Sequence, residues 1–379
     1  MTTIRSKLPQ TGTTIFTVMS QLANEHGAIN LSQGFPDYAC PPALIEALNH
    51  AAQAGFNQYA PMAGLPALRE AIASKLLQSR AVAVDADSEI TITAGATQAI
   101  FTAVAAVLHA GDEAIVIDPS YDSYAPAIAA QGAHAIRISA LADGGIDWTV
   151  VADAVTPRTR MILINNPNNP STGVFTAADL DALADITERH DLLVLADEVY
   201  EHLVYDDVAH RSVLAHPRLR SRSFAVYSFG KTFHATGWKI GYCVAPPALT
   251  AEFRKIHQFL VFCVNAPAQH ALVEVLRDPT HWQSLPAFFE SRRDRLASGL
   301  REAGFQLTPS RGTYFQLADY RSIRDDLDDV AFARWLTIER GVACIPVSVF
   351  HADGRQQGLV RFCFAKQEAT LDAAIARLK

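Results

Sequence analysis

The stretch Phe224-Ala225-Val226-Tyr227-Ser228-Phe229-Gly230-Lys231 joins a short apolar run to a turn that ends in a lysine. The run 224–227 is too short for a helix and is typical of a buried strand. In α/β proteins, ligands bind at the carboxyl ends of such strands, which is where Lys231 follows. Two interpretations stay open: a surface lysine in a turn, or an amine that apolar surroundings make nucleophilic toward carbonyl groups.

Lysine usage favours the second interpretation. The chain contains seven lysines, none lies between Lys75 and Lys231, and arginine supplies most of the positive charge. A lysine placed among aromatic residues in such a chain is a candidate for chemistry rather than for solubility.

Outward from this stretch, short apolar runs alternate with helical patterns, and this rhythm predicts a mostly parallel sheet with helical crossovers. The predicted strands are 90–93, 114–117, 135–138, 161–164, 192–195, 224–227 and 240–245. Helical patterns at 97–109 and 177–190 lie between them. The sequence therefore predicts an α/β fold.

A second, smaller α/β domain is predicted after Pro246 and Pro247. One long helical stretch covers 249–277, helices follow at 288–303 and 329–340, and strands at 314–317 and 359–364. We predict a large domain at 40–275 and a small domain at 276–379. The N-terminal segment 1–39 is predicted to pack with the small domain.

Composition excludes several classes of function. The chain has 379 residues, 49% of them hydrophobic, and a formal charge of -7, which does not suit a nucleic-acid binder. No apolar run is long enough to span a membrane and no export signal is evident, so we expect a cytoplasmic protein. The five cysteines are scattered without metal-ligand or redox spacing, and we expect reduced thiols and no metal site.

Polar residues follow two other predicted strands. Asp197 ends the run 192–196, and it could cap a helix or hold a pyridine nitrogen protonated. Asn169 lies in the Asn-Pro-rich segment 165–170, which forms a turn and could also direct amide donors at a ring oxygen.

Two further segments could bind anions. Gly95-Ala96-Thr97 lies between a strand and its helix, where free amides and the helix dipole favour a phosphate, although many such turns contain glycine. Arg361 stands in the apolar strand 359–364, either on its solvent face or as a bidentate partner for a carboxylate.

Together these residues resemble the class I aminotransferases of fold type I, which depend on pyridoxal phosphate. The likeness is to kynurenine aminotransferases (glutamine transaminase K) and bacterial methionine aminotransferases. It covers nearly the whole chain, through the segments Leu31-Ser32-Gln33-Gly34-Phe35-Pro36-Asp37, Asn57-Gln58-Tyr59-Ala60-Pro61, Gly230-Lys231-Thr232-Phe233-His234-Ala235-Thr236-Gly237-Trp238-Lys239, Ile345-Pro346-Val347-Ser348 and Val360-Arg361-Phe362-Cys363-Phe364.

The resemblance implies a three-layer α/β large domain beside a smaller α/β domain, a homodimer with shared active sites and a role for each matched residue. Lys231 binds the cofactor and then carries the substrate proton, and Asp197 pairs with the ring nitrogen. The other implied cofactor ligands are Asn169 and Tyr200 at the phenolic oxygen, Tyr121 on the ring face, and Ala96, Thr97, Ser228, Lys239 and a neighbouring subunit's Tyr59 at the phosphate. Lys239 departs from the arginine of many class I enzymes, and a lysine binds phosphate without the bidentate fork.

The resemblance also implies that Arg361 binds the substrate α-carboxylate, assisted by Gly34 and Asn169. Candidate side-chain contacts are Phe16, Tyr38, Tyr59, Tyr121 and Phe350. Phe16 stands where kynurenine aminotransferases resemble each other in having tryptophan. We expect neutral amino acids such as methionine, aromatic residues, glutamine or kynurenine as donors, because no second cation is identified for an acidic side chain, although Arg311 could be delivered by folding.

Two alternatives remain. A carbon-sulfur β-lyase acting on cysteine conjugates or cystathionine uses the same cofactor, lysine and arginine. A regulator that has borrowed this fold would append a DNA-binding domain, and no residues are left over for one.

Overall fold

The structure is a computed structural model that describes residues 4–9, 11–141 and 144–379. Residues 1–3 and 10 of the predicted N-terminal segment lie outside these ranges. The strands are β1 Ile29–Asn30, β2 Ile90–Thr93, β3 Glu113–Asp118, β4 His134–Ser139, β5 Thr159–Asn165, β6 Leu193–Asp197, β7 Ser223–Ser228, β8 Gly241–Val244, β9 Gln306–Leu307, β10 Phe315–Asp319, β11 Val342–Ala343, β12 Ile345–Pro346 and β13 Leu359–Cys363.

The helices alternate with these strands through most of the chain. They are α1 Ile15–Glu25, α2 Pro42–Gln53, α3 Pro66–Arg80, α4 Gly95–Val107, α5 Tyr124–Ala130, α6 Trp148–Asp153, α7 Ala177–Arg189, α8 Pro217–Arg220, α9 Phe229–Thr232, α10 Pro247–Leu260, α11 Ala266–Leu276, α12 Thr280–Gln283, α13 Leu285–Glu302, α14 Asp329–Glu339 and α15 Glu368–Leu378.

The central sheet has seven strands in the order β2-β8-β7-β6-β5-β3-β4. Strands β3 to β7 run parallel to one another, whereas β8 is antiparallel to both of its neighbours, β2 and β7. The prediction of a mostly parallel sheet built from seven runs is confirmed. The carboxyl ends of β5, β6 and β7 therefore meet at one edge.

Helices cover both faces of this sheet. Successive side chains of a strand point to opposite faces, and Ile162 and Val194 join a core cluster with α3, α7 and α11. Leu163 and Leu195 join a second cluster with α4, α5 and α10. These two cores make the three-layer α/β architecture that the sequence resemblance implied.

The prediction of one long helix over 249–277 is wrong. Helix α10 ends at Leu260 and α11 begins at Ala266, with Phe262 in a left-handed conformation between them. The Asn265 side chain accepts a hydrogen bond from the amide of Ala268, and Pro267 stands in the first turn of α11. An N-cap asparagine followed by proline starts a new helix, and this local signal outweighs the continuous apolar pattern.

A second, antiparallel sheet has the order β12-β13-β10-β9. The N-terminal strand β1 pairs in parallel with β11, and α1 packs against α14. The chain's first ordered elements thus lie beside its last hundred residues, and they bring the segment 31–35 toward the central sheet. No helix in the described ranges is long and apolar enough to cross a membrane.

Candidate active site

A cavity of about 350 Å³ opens at the carboxyl ends of the central strands. Strand ends supply Asp197 and Ser228, and the α4 amino end supplies Gly95. Twelve of the fifteen residues predicted as cofactor ligands or substrate contacts line this cavity: Phe16, Gly34, Ala96, Thr97, Tyr121, Asn169, Asp197, Tyr200, Ser228, Lys231, Lys239 and Arg361.

Lys231 projects into the cavity from the single turn α9, directly after β7. Its Nζ donates a hydrogen bond of 2.7 Å to the Tyr314 hydroxyl and lies 5.6 Å from the centre of the Tyr200 ring. Removal from water lowers the pKa of the amine to about 8, although the Asp197 carboxylate opposes the shift. About a tenth of the amine is therefore neutral and nucleophilic at pH 7, far more than for a lysine with an ordinary pKa.

Tyr314 is a site residue that sequence reasoning missed. Its buried hydroxyl accepts from Lys231 and donates to the carbonyl oxygen of Gly34, so it links the lysine to the N-terminal segment. A Cβ at Gly34 would lie 2.6 Å from the Phe315 ring, which explains why the chain has glycine there. A tyrosine at the start of a strand is too common a feature to have indicated this role.

Asp197 is buried at the end of β6. Its carboxylate accepts hydrogen bonds from the Tyr124 hydroxyl at 2.6 Å and from the amide of Val199 at 3.3 Å. Burial raises the pKa of the carboxyl group, while these donors act in the opposite direction. Tyr124 was also missed, although its spacing of three from Tyr121 in a short helical segment was the available signal.

Arg361 is almost completely buried in β13. Its guanidinium donates to the side-chain oxygen of Asn169 and, at 3.3 Å, to the carbonyl of Ser32. The Nε atom has no hydrogen-bond partner among the described residues. Burial lowers the pKa of this arginine to about 10, and its buried charge is held by neutral oxygens rather than by a carboxylate.

Aromatic rings surround the same guanidinium. Its central carbon lies 3.7 Å from the centre of the Phe315 ring, 5.2 Å from that of Phe350 and 5.4 Å from that of Phe16. A buried cation with an unused donor inside an apolar wall attracts an anion strongly. The arrangement therefore suits a carboxylate ligand that brings an apolar group with it.

The amino end of α4 forms an electropositive corner of the cavity. The helix starts at Gly95, whose φ is +78°, and its cap residue, Ala94, has no side chain that occupies the free amides. A Cβ on Gly95 would lie 3.3 Å from the Lys239 Nζ, so the lysine amine sits over the helix start. Helix amides, the dipole and a lysine together suit a phosphate group.

Three residues considered from sequence lie elsewhere. Tyr59 is 82% exposed, does not line the cavity and makes an edge contact with Phe262. Tyr38 packs against His234 and Phe288 and, like Phe350, does not line the cavity, so its role as a side-chain contact stays a prediction. Arg311 lines a separate cavity of about 380 Å³.

The donor set fits pyridoxal phosphate, the cofactor that the sequence resemblance implies. The cavity offers an amine with a lowered pKa for an aldehyde, a buried carboxylate for a ring nitrogen and an electropositive helix start for a phosphate. No group of three or more His, Cys, Asp or Glu within the described part of the chain could hold a metal ion.

Comparison with known proteins is consistent with this site. The family model "Aminotransferase class I and II" matches residues 26–378. The chain is 52% identical to the methionine aminotransferase of Escherichia coli, across 99% of this chain and 97% of that protein. It is 33% identical to mouse kynurenine–oxoglutarate transaminase 1, across 95% of this chain and 93% of that protein.

Solved structures give the same result. A crystal structure from Escherichia coli, identified with a methionine aminotransferase function, superposes with a TM-score of 0.98 over 100% of this chain and 99% of that chain, at 52% identity. The N-succinyldiaminopimelate aminotransferase of Mycobacterium tuberculosis superposes with a TM-score of 0.94 over 99% of each chain, at 40% identity.

Proposed function

This chain belongs to the class I and II aminotransferases, a family that uses pyridoxal phosphate, and on that premise we propose that it transfers the amino group of neutral amino acids to 2-oxo acids. The observation that carries the proposal is the pairing of Lys231 with a carboxylate-binding Arg361 in one cavity. The relatives named above are all aminotransferases, and none supports the carbon-sulfur β-lyase alternative.

Pyridoxal phosphate, when bound, supplies an aldehyde that takes up the amino group and a ring that stabilises negative charge beside it. The Lys231 amine holds the cofactor and then accepts the proton that leaves the substrate α carbon. Asp197 keeps a proton on the ring nitrogen, because a buried carboxylate with a cationic partner stays ionised. Tyr121, which lines the cavity, would pack on the ring face.

The hydrogen bond to Arg361 fixes the orientation of the Asn169 side-chain amide. Because its side-chain oxygen accepts from Arg361, its amide nitrogen is left to donate to the phenolic oxygen of the ring. Tyr200 donates to the same oxygen, and burial keeps the hydroxyl of Tyr200 protonated by raising its pKa. Ala96, Thr97, Ser228 and Lys239 bind the phosphate at the start of α4.

We propose that substrate binds between two parts of the chain, because residues of both line the cavity. We divide it into the N-terminal segment 1–39, a large domain at 40–275 and a small domain at 276–379. The central sheet lies within the large domain, whereas β9, β10, β12 and β13 belong to the small one. Gly34 and Arg361 then bind the α-carboxylate on one side of the substrate, and the Lys231 amine lies on the other side.

The five free thiols suit the reducing cytoplasm that we propose as the location of this protein.

Neutral donors should outpace acidic ones. The side-chain space is walled by Phe16, Phe35 and Phe315, and an unpaired carboxylate against such rings costs several kcal/mol. With a common oxo acid, we expect kcat/KM for methionine and phenylalanine to exceed that for aspartate by about 100-fold or more, with glutamine between them.

Methionine and phenylalanine themselves should differ modestly, since hydrophobic pockets separate similar side chains by only about 1 to 3 kcal/mol. Phe16→Ala should change the ratio of the two kcat/KM values, because Phe16 is part of the wall of the side-chain space. Aspartate as the best donor would overturn the proposed specificity.

We further propose that the enzyme is a homodimer in which Tyr59 completes the phosphate site of the neighbouring subunit. Tyr59 contacts Phe262 edge to face, both rings are exposed, and Phe259, three residues before Phe262, is 86% exposed. Exposed aromatic clusters of this kind mark association surfaces. Because Tyr59 lies outside its own subunit's cavity, a second copy is the route by which it reaches a phosphate.

Mixed dimers test this sharing. Tyr59→Ala and Lys231→Ala subunits are each expected to be nearly inactive, but a heterodimer would contain one site with both lesions and one with neither. Equal mixing should restore about one quarter of wild-type activity. Distinct affinity tags confirm that subunits have exchanged, and activity that stays at the level of the unmixed variants after exchange would show that sites are not shared.

A further inference from the structure

A cluster of charged side chains is buried behind the active site and takes no part in lining it. We call Lys75, Arg80, Glu198, Glu201 and His210 the buried charge cluster. The Glu201 carboxylate accepts from the Lys75 amine through one oxygen and from the Arg80 guanidinium, at 2.5 Å, through the other. The side chains of all three are at most 7% exposed. Helix α3 therefore clamps Glu201 with two cations.

The same cluster holds Glu198 and the loop after β5. Glu198 accepts from the Tyr227 hydroxyl at 2.7 Å and from the amide of Val213 at 2.9 Å. His210 lies 2.7 Å from Arg80 through Nδ1, and its Nε2 donates to the carbonyl of Asn166 at 3.0 Å. Asn166 immediately follows Asn165, whose side chain donates to the carbonyl of Asp197.

The chain after β6 alternates between the cavity and this cluster. Asp197 and Tyr200 line the cavity, whereas Glu198 and Glu201 point away from it into the cluster. Asp197 and Tyr200 are thus each followed in sequence by a carboxylate with buried partners. A backbone rotation that moved either of them would displace the following carboxylate and break its ion pairs or hydrogen bonds.

Stability alone does not account for such a cluster. Burying charges costs several kcal/mol per ion, and well-packed apolar residues often stabilise a core as much or more. The cluster balances two cations against two carboxylates, and burial lowers the pKa of His210 to about 3, which keeps its imidazole neutral. Directional ion pairs differ from apolar contacts in specifying orientation.

We propose that the buried charge cluster positions Asp197 and Tyr200 against the cofactor, so that Lys75, Arg80, Glu198 and Glu201 are positioning residues for amino transfer. This inference rests on the proposed roles of Asp197 and Tyr200. It predicts that the cluster governs the affinity and the spectrum of the bound cofactor, and not merely the melting temperature.

Glu201→Gln, Lys75→Met and the double variant test the proposal. Each single change leaves an excess buried charge and lowers the melting temperature, whereas the double variant is charge-balanced and regains much of that loss. We expect the double variant still to bind pyridoxal phosphate about 10-fold more weakly than wild type. Losses of this size follow elsewhere when a residue that orients a ligand-binding side chain is replaced. Its kcat should fall by a similar factor, with KM for the amino acid nearly unchanged because Arg361 is untouched.

Glu113→Gln is the matched control. Glu113 is a buried carboxylate paired with Arg158, but it lies at the amino end of β3, whereas the cavity lies at the carboxyl ends of the strands. It should lower stability without altering cofactor affinity or the absorbance band of the bound cofactor. Binding is measured by titrating cofactor-free protein well below its melting temperature.

Three outcomes would overturn the proposal. A double variant with wild-type cofactor affinity and spectrum would make the cluster purely structural. Equal effects of Glu113→Gln would mean that general destabilisation explains the loss. An unchanged absorbance band of the bound cofactor in Asp197→Asn would refute the proposed role of Asp197 itself. If that band shifts in Asp197→Asn but not in the cluster variants, only the positioning inference is refuted.

Discussion

Replacing Lys231 with alanine should reduce the rate of amino transfer by about 10,000-fold or more while leaving the fold intact. The substitution removes both the amine that holds the cofactor and the base that accepts the α proton. Its loss also removes one donor to Tyr314, but Tyr314 keeps its bond to Gly34. The measurement is single-turnover conversion of the bound cofactor after mixing with methionine, alongside the melting temperature.

Lys255→Ala is the control for this experiment. Lys255 is a surface lysine paired with Glu252, and its replacement should leave turnover unchanged. In wild-type protein, borohydride should fix the cofactor to the peptide that contains Lys231. Attachment to a peptide without Lys231 would refute the assignment.

Replacing Arg361 with methionine should lower kcat/KM for methionine by about 100- to 1,000-fold, mainly through KM. Methionine fills a similar volume among the aromatic rings but removes the buried cation and the free Nε donor. Cofactor affinity should change little, because Asn169 keeps its amide donor. Steady-state kinetics and a cofactor titration on the same variant separate the two effects.

Two controls distinguish carboxylate binding from packing. Arg361→Lys keeps the charge without the planar fork and should fall between wild type and Arg361→Met. Arg293→Met removes another buried arginine, paired with Asp206, and should affect stability without raising KM. If amines that lack a carboxylate were slowed as much as amino acids, Arg361 would not be the carboxylate ligand.

The strand periodicity is sufficient to predict the central sheet. Successive side chains of a strand point to opposite faces, so a continuously apolar run such as 161–164 or 192–195 indicates a strand that is buried on both faces. A parallel sheet then places the residues after each strand at one edge, which is why strand ends alone group Asp197, Ser228 and Lys231 at one site.

Other contacts have no local signal. Tyr314 reaches Lys231 across 83 positions of sequence, and Glu201 meets Lys75 across 126. The residues around Tyr314 and Glu201 in the sequence do not indicate these partners, because each contact depends on how separate helices and strands pack. The break between α10 and α11 does have a local signal in Asn265 and Pro267, but the continuous apolar pattern around them favours a single helix.

By itself the sequence determined the α/β class, the order of the strands along the chain and the position of Asp197, Ser228 and Lys231 at strand ends, because periodicity and strand ends are local properties. Only the tertiary structure decided that Arg361 is buried among three aromatic rings, that Tyr314 bonds to Lys231, and that Tyr59 faces away from its own cavity. These are properties of distance and burial, which arise when segments far apart in the chain pack together and exclude water.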